Sequence, residues 1–273
     1  MNPFDAGVIG LVNQLAHRSR AFDLFVREMA GNHLLKTGLI MTLLYWVWFR
    51  EDEETDARRE TLAFGLVASC AAVLVARILA FTLPFRERPL RNPDLHFVLP
   101  YSVGANAVFG WSAFPSDNAA LFFGVAFCIV LVSRRAGILA LCHTTLVVAF
   151  ARVYLGYHHP TDVLAGAALG IGAVSLGRIP AVRGAVTRIP MRWLRTQPQR
   201  CHTAVCTLVF LIATTFEPLY PLAHTGLVVA SAIASDLGGD AITWGVWIVV
   251  VALLVATGWT IVRRKLGFRR RPS

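Results

Sequence analysis

Within the stretch ARVYLGYHHPTD, residues 151–162, an arginine, two histidines and an aspartate sit between two apolar runs. His158 and Asp162 are four residues apart, and Pro160 suits the first turn of a helix starting between them. At that spacing Asp162 can reach back to orient a histidine ring, the arrangement that lets imidazole act as nucleophile or base. A second polar stretch, PFRERPLRNPD, supplies Arg86, Arg88 and Arg91, and a third, AFPSDNAALFF, supplies Ser116, Asp117 and Asn118. Clustered guanidinium groups hold phosphate through paired hydrogen bonds. Ser116 stands just ahead of an apolar helix, where it can cap the first turn, and the unpaired N–H groups of a helix start bind anions. Together these parts point to phosphoryl transfer through histidine.

The same residues give the chain a family likeness. It resembles the type 2 phosphatidic acid phosphatases, which share their site with the vanadium haloperoxidases. Within that group it is most similar to the bacitracin-resistance type of undecaprenyl-diphosphate phosphatase. The family's third motif, Ser-Arg, five residues, His, three residues, Asp, is met by Arg152, His158 and Asp162, with Ala151 in place of the serine. Its second motif, Pro-Ser-Gly-His or Pro-Ser-Asp-His, is met by Pro115, Ser116 and Asp117, but Asn118 replaces the histidine. Its first motif, Lys, six residues, Arg-Pro, is met by Arg88 and Pro89, with Phe81 at the lysine position. The likeness covers roughly residues 30–180.

The resemblance implies that His158 attacks phosphorus to form a phosphohistidine while Asp162 holds its ring. It implies that Arg88, Arg152, Ser116 and amides near Asp117 bind the phosphoryl oxygens, and that no metal or other cofactor is required. The position of the general acid falls on Asn118, and an amide does not give up a proton at working pH. Expelling an alkoxide needs that proton far more than expelling a phosphate does, since the second phosphate pKa is about 6. The site is therefore biased toward diphosphates: undecaprenyl diphosphate is the first expectation and phosphatidate-type lipids the second. Two alternatives stay open, a phosphotransferase with a non-water acceptor and a binding protein that has lost turnover. Arg77, Arg86 and Arg91 are candidates to replace the missing lysine, Arg77 being an arginine inside an apolar segment, where such residues are usually functional.

The elements that must position these groups are membrane helices. The chain is 56% hydrophobic, only 15% charged, and has a mean hydropathy of +0.58, outside the usual range of soluble domains. Spans are expected near 34–49, 61–83, 119–133, 138–154, 162–178, 203–220 and 243–262, with 50–60 and 133–137 as connectors. Residues 4–30 are too polar to cross and read as an amphipathic interfacial segment. Of 26 basic residues only Lys36 and Lys265 are lysine, and the arginines gather at span ends, which argues for topology rather than nucleic acid. The loops at 50–60, 133–137, 178–200 and the C-terminus carry 17 basic residues; those at 84–118, 152–162 and 221–242 carry four. The positive-inside rule puts the first set in the cytoplasm and both polar loops outside it.

The five cysteines, at 70, 128, 142, 201 and 206, have no metal-ligand spacing and do not read as a disulfide framework. Trp46, Trp48, Trp244 and Trp247 fit an interfacial belt. Gly166, Gly170 and Gly172 suit close helix packing. His143 reads as a packed histidine, His159 as an interfacial neighbour and His96 as a loop residue.

The expected architecture is an all-α, polytopic membrane bundle: an interfacial segment (1–33), a five-span core (34–180), and an arginine-rich linker with about two further spans (181–273). It belongs in the cytoplasmic (inner) membrane with its site on the non-cytoplasmic face and its C-terminus inside. Its partners are a lipid phosphate or diphosphate and membrane lipids, with no nucleic acid.

Overall fold

Several helices begin where a side chain caps them. Asn2 accepts the Asp5 amide ahead of α1 (Pro3–Asn13), and Ser19 accepts that of Phe22 ahead of α2 (Arg20–Gly31). Asn32 accepts the amides of both Leu34 and Leu35 at the start of α3 (His33–Phe49). The computed structural model describes residues 2–214 except 102, 105, 106 and 108–110. The expected loop at 221–242, the span at 243–262 with Trp244 and Trp247, and the basic tail lie outside the described residues.

After α3 come α4 (Thr55–Thr82) and two 3-10 turns at Pro89–Arg91 and Pro93–Leu95, then α5 (Asp117–Val132). A single residue, Ser133, separates α5 from α6 (Arg134–His143), which continues through a π turn, Thr144–Ala149, into α7 (Phe150–Tyr154). There follow α8 (Pro160–Ser175), α9 (Pro180–Thr196) and α10 (Pro198–Ala213). Among the described residues there is no strand. The stretches Thr55–Thr82, Arg134–Tyr154 and Pro160–Arg178 are long and apolar enough to cross a membrane; α3 and α5 are apolar but shorter. These five coincide with the first five expected spans, and the fold is an all-helical membrane bundle.

Two expected connectors are largely helix. Only residues 50–54 join α3 to α4, because Arg58 turns back to close the end of α3. Its guanidinium donates to the carbonyls of Val47 and Arg50 and to both oxygens of Asp52. The stretch 133–137 likewise shrinks to Ser133, with helix resuming at Arg134. The N-terminal segment is two helices rather than one continuous stretch. The linker after α8 is also helical, and Arg183 and Arg195 of α9 pair with Glu60 and Asp56 of α4.

The core centres on α5, whose Ala120, Phe122, Val125, Ala126 and Ile129 have no exposed surface. It packs on α4 and α8. Small residues set that approach: a Cβ at Gly166 would lie 2.2 Å from the Ser116 carbonyl oxygen, and one at Gly170 would lie 2.0 Å from that of Ala120. Gly172 meets nothing within 4 Å and takes no part. Gly166→Ala is therefore expected to destabilise the detergent-solubilised protein by about 1–3 kcal/mol through overpacking, despite the better helix propensity of alanine. Gly172→Ala should leave the melting temperature unchanged or slightly raised, and thermal unfolding of both variants checks the contrast.

Candidate active site

The three polar stretches meet at one end of the bundle. Arg86 donates its amide to Ser112 Oγ and accepts that of Ala113, so residues 86–88 run alongside 111–113. Across the gap, the Ser116 amide donates to the Asp162 carbonyl (3.0 Å), tying the start of α5 to the first turn of α8. The amides of Tyr157 and His158 both bond the carbonyl of Arg152, folding the loop back beneath that arginine.

His158 is 4% exposed. Its Nδ1 lies 2.7 Å from the carbonyl oxygen of Ala113. A carbonyl only accepts, so Nδ1 carries the proton and Nε2 keeps its lone pair. Asp162 Oδ2 stands 3.9 Å from Nδ1, beyond a hydrogen bond. The ring is thus held first by a main-chain carbonyl, whereas direct fixation by Asp162 was the expectation. Asp162 fixes the backbone instead: Oδ2 accepts the His159 amide (2.7 Å), and Oδ1 accepts from Arg86 Nη1.

Burial, reinforced by the charges of Arg88 and Arg152, pushes the His158 imidazole down to about 3 from its ordinary 6.5. The unfolded chain takes up this proton below pH 6.5, and the folded site refuses it down to about 3. This residue's stability contribution is therefore present above pH 6.5 and lost as pH falls toward 3. Followed by NMR, the His158 ring is expected to stay neutral at pH 5. A midpoint near 6.5 would mean a hydrated, unburied ring.

Arg88 is buried, and burial pulls it down to about 10, still charged near neutrality. Three of its N–H groups donate to the carbonyls of Trp111, Ser112 and Tyr157, leaving two of the five for other acceptors. Arg152 Nη2 donates to Asn118 Oδ1 (3.0 Å), and Asn118 Nδ2 donates to Asp117 Oδ1 (3.0 Å). Ser116 is fully buried and caps α5. These residues, with His158 and Asp162, form one cluster.

The candidates for the missing lysine separate. Phe81 turns outward, 75% exposed. Arg77, four residues earlier on α4, forms an ion pair with Asp117 and lies over the Trp111 ring, 4.8 Å from its centroid. Arg86 is spent on two carboxylates, Asp162 and Asp5. Arg91 donates to the Ala107 carbonyl. His159 is buried, its Nε2 on the Glu87 carbonyl, so it is more than an interfacial neighbour. Burial holds its pKa below the ordinary value.

Sequence reasoning missed Asp5, Thr161, Asp23 and the Ala113 carbonyl. Asp5 and Asp23 are completely buried. Asp23 accepts from the Tyr154 hydroxyl and the Tyr101 amide, tying α2 to α7 and the first polar loop. A carboxylate in the otherwise apolar run PFDAGVIGLV was the signal available for Asp5. A main-chain carbonyl leaves no signal.

Residues 84–179 match the family model of the PAP2 superfamily. The bacitracin transport permease protein BcrC of Bacillus licheniformis is 27% identical over 140 residues, 51% of this chain and 61% of that protein. The undecaprenyl-diphosphatase BcrC of Bacillus subtilis (strain 168) is 25% identical over 163 residues, 59% of this chain and 75% of its own. The lipid A 1-diphosphate synthase of Escherichia coli (strain K12) is 28% identical over 172 residues, 60% of this chain and 70% of its own. The chain thus spans less than two thirds of the first of these relatives. No solved structure matches it. The matched segment contains Arg88, Ser116, Arg152, His158 and Asp162, and residues 84–179 are a domain of the PAP2 superfamily.

Proposed function

We propose that the protein is a membrane lipid phosphatase that removes the terminal phosphate of a polyprenyl diphosphate through a phosphohistidine on His158. The observation that carries this reading is the donation from His158 Nδ1 to the Ala113 carbonyl, which leaves the Nε2 lone pair beside Arg88 and Arg152. Nε2 attacks the terminal phosphorus, a P–N bond forms, and the bridging P–O bond breaks. The electron pair leaves on the lipid monophosphate. Arg152, the remaining N–H groups of Arg88 and the Asp117 amide at the start of α5 neutralise the transferring oxygens. Water then attacks phosphorus and the P–N bond breaks. The water proton passes to a phosphoryl oxygen or to solvent, and phosphate and the free imidazole are restored.

The arginines supply the positive charge that metal ions supply in other phosphatases. In this reading Arg77 stands in for the missing lysine through its place beside Asp117 and Trp111. Asn118 offers no acid, which suits a leaving group that is already a phosphate. The diphosphate named for the Bacillus subtilis relative agrees with that leaving group. The site faces the non-cytoplasmic side, opposite the arginines of α9.

A second reading replaces water by the phosphate of another lipid. It is favoured by Asn118, which cannot draw a proton from water, and by the synthase among the relatives. One assay separates the two: purified protein with undecaprenyl diphosphate, with and without a lipid monophosphate acceptor. Free phosphate in both conditions supports hydrolysis. Phosphate appearing only on the acceptor supports transfer, and silence in both supports a binding protein.

A further inference from the structure

We infer that Asp5, far outside the matched domain, is a positioning residue of the catalytic centre. The inference rests on the phosphoryl-transfer reading above. Asp5 sits in the first turn of α1 with no exposed surface. Its Oδ1 accepts the Thr161 amide (2.9 Å), and its Oδ2 accepts from Thr161 Oγ1 (2.7 Å), Arg86 Nη2 (2.7 Å) and Asn2 Nδ2 (3.1 Å). Burial alone would raise its carboxyl, but the Thr161 hydroxyl and amide and the Arg86 charge more than offset that. The group stays below its usual range, charged at neutral pH.

The Thr161 amide belongs to the first turn of α8, where N–H groups have no partner within the helix. Asp5 therefore caps α8 from a helix more than 150 residues away in sequence. It also completes a line of alternating charge: Asp5 on one arm of Arg86, Asp162 on the other. The Thr161 hydroxyl bridges the pair, donating to Asp5 and accepting from Arg86 Nη1 (3.0 Å). Asp162 in turn holds the His159 amide, one residue from the proposed nucleophile.

Without the Asp5 charge, Arg86 Nη2 loses its ion-pair partner, one of the two oxygens that face donors becomes an NH2 group, and the clamp on Asp162 loses one of its two anchors. The step that suffers is alignment of His158 for in-line attack, since Asp5 reaches His158 only through Arg86, Asp162 and the His159 amide. Its signature is a lower kcat with little change in KM.

The experiment compares wild type, Asp5→Asn, Thr161→Val, Arg86→Gln and the double variant Asp5→Asn/Arg86→Gln. Turnover of undecaprenyl diphosphate is normalised to competent sites, counted from the burst of enzyme-bound phosphate. Orthovanadate binding is measured alongside. Asp5→Asn is expected to lower kcat roughly 10- to 100-fold with KM nearly unchanged. Thr161→Val, which keeps the fold anchored through its amide, should fall in between. The double variant should be no slower than Arg86→Gln alone, because both changes break one chain of contacts. An unchanged kcat per competent site in Asp5→Asn and Thr161→Val overturns the inference and leaves the phosphatase reading standing. So do losses that multiply in the double variant, since independent effects mean that Asp5 does not act through Arg86. A wild type that neither turns over nor binds orthovanadate removes the phosphatase reading and this role with it.

Discussion

His158→Ala is expected to lower phosphate release from undecaprenyl diphosphate by roughly 10⁴- to 10⁶-fold, the scale of losing a nucleophile. The effect follows from where the ring is held. Its Nδ1 proton is fixed on the Ala113 carbonyl, so the only basic atom it can present is Nε2. Burial and two neighbouring guanidinium groups keep that atom unprotonated, so the nucleophile needs no separate base to free it. Truncation to alanine leaves the Ala113 carbonyl without its donor, a cost of about 1–3 kcal/mol in stability. Rates are therefore compared per folded molecule. The second readout is the intermediate itself: wild type quenched during turnover should hold a base-stable, acid-labile phosphate that His158→Ala lacks. Substantial turnover by the variant would exclude His158 as the nucleophile.

Much of this centre was legible in the sequence, and the part that was not has a physical cause. Arg152, His158 and Asp162 are close in the chain, so a loop and the first turn of one helix suffice to group them, and spacing alone displays the pattern. The cap at Ser116 is equally local, a polar residue ahead of an apolar run. The glycines at 166 and 170 could be read as packing residues. That one faces the Ser116 carbonyl and the other the Ala120 carbonyl depends on the register between α5 and α8. Arg86 illustrates the limit: it stands two residues from Arg88 and looks equivalent, yet it clamps two carboxylates while Arg88 bonds three carbonyls. Only the path of α1 decides that difference, since Asp5 arrives from the other end of the chain. The misplaced connectors have a similar origin. Charge between two apolar runs marks a boundary in hydropathy, but Arg and Glu are good helix formers, and the chain stays helical while leaving the apolar layer.

Asn118→His is expected to raise hydrolysis of phosphatidate by about 10²-fold or more, within the usual gain from general acid catalysis. Hydrolysis of undecaprenyl diphosphate should change far less. Asn118 occupies the first turn of α5 and bridges Asp117 and Arg152, so a side chain there already faces the groups that would hold a phosphoryl oxygen. An imidazole in its place can give one N–H to the Asp117 carboxylate, whose charge offsets the opposing pull of Arg152 on the ring's protonation. Its other nitrogen is then available to the leaving oxygen. An alkoxide leaving from phosphatidate is a strong base and gains most from that proton. A lipid monophosphate leaving from a diphosphate is weakly basic and gains little. The ratio of the two gains is the decisive quantity, because it cancels changes in folding, in detergent and in phosphate binding that both substrates share. A ratio near one would mean that Asn118 does not stand at the leaving group. A large ratio favouring phosphatidate would mean that the asparagine at this position is itself a device of substrate selection, admitting those lipids whose leaving group needs no acid.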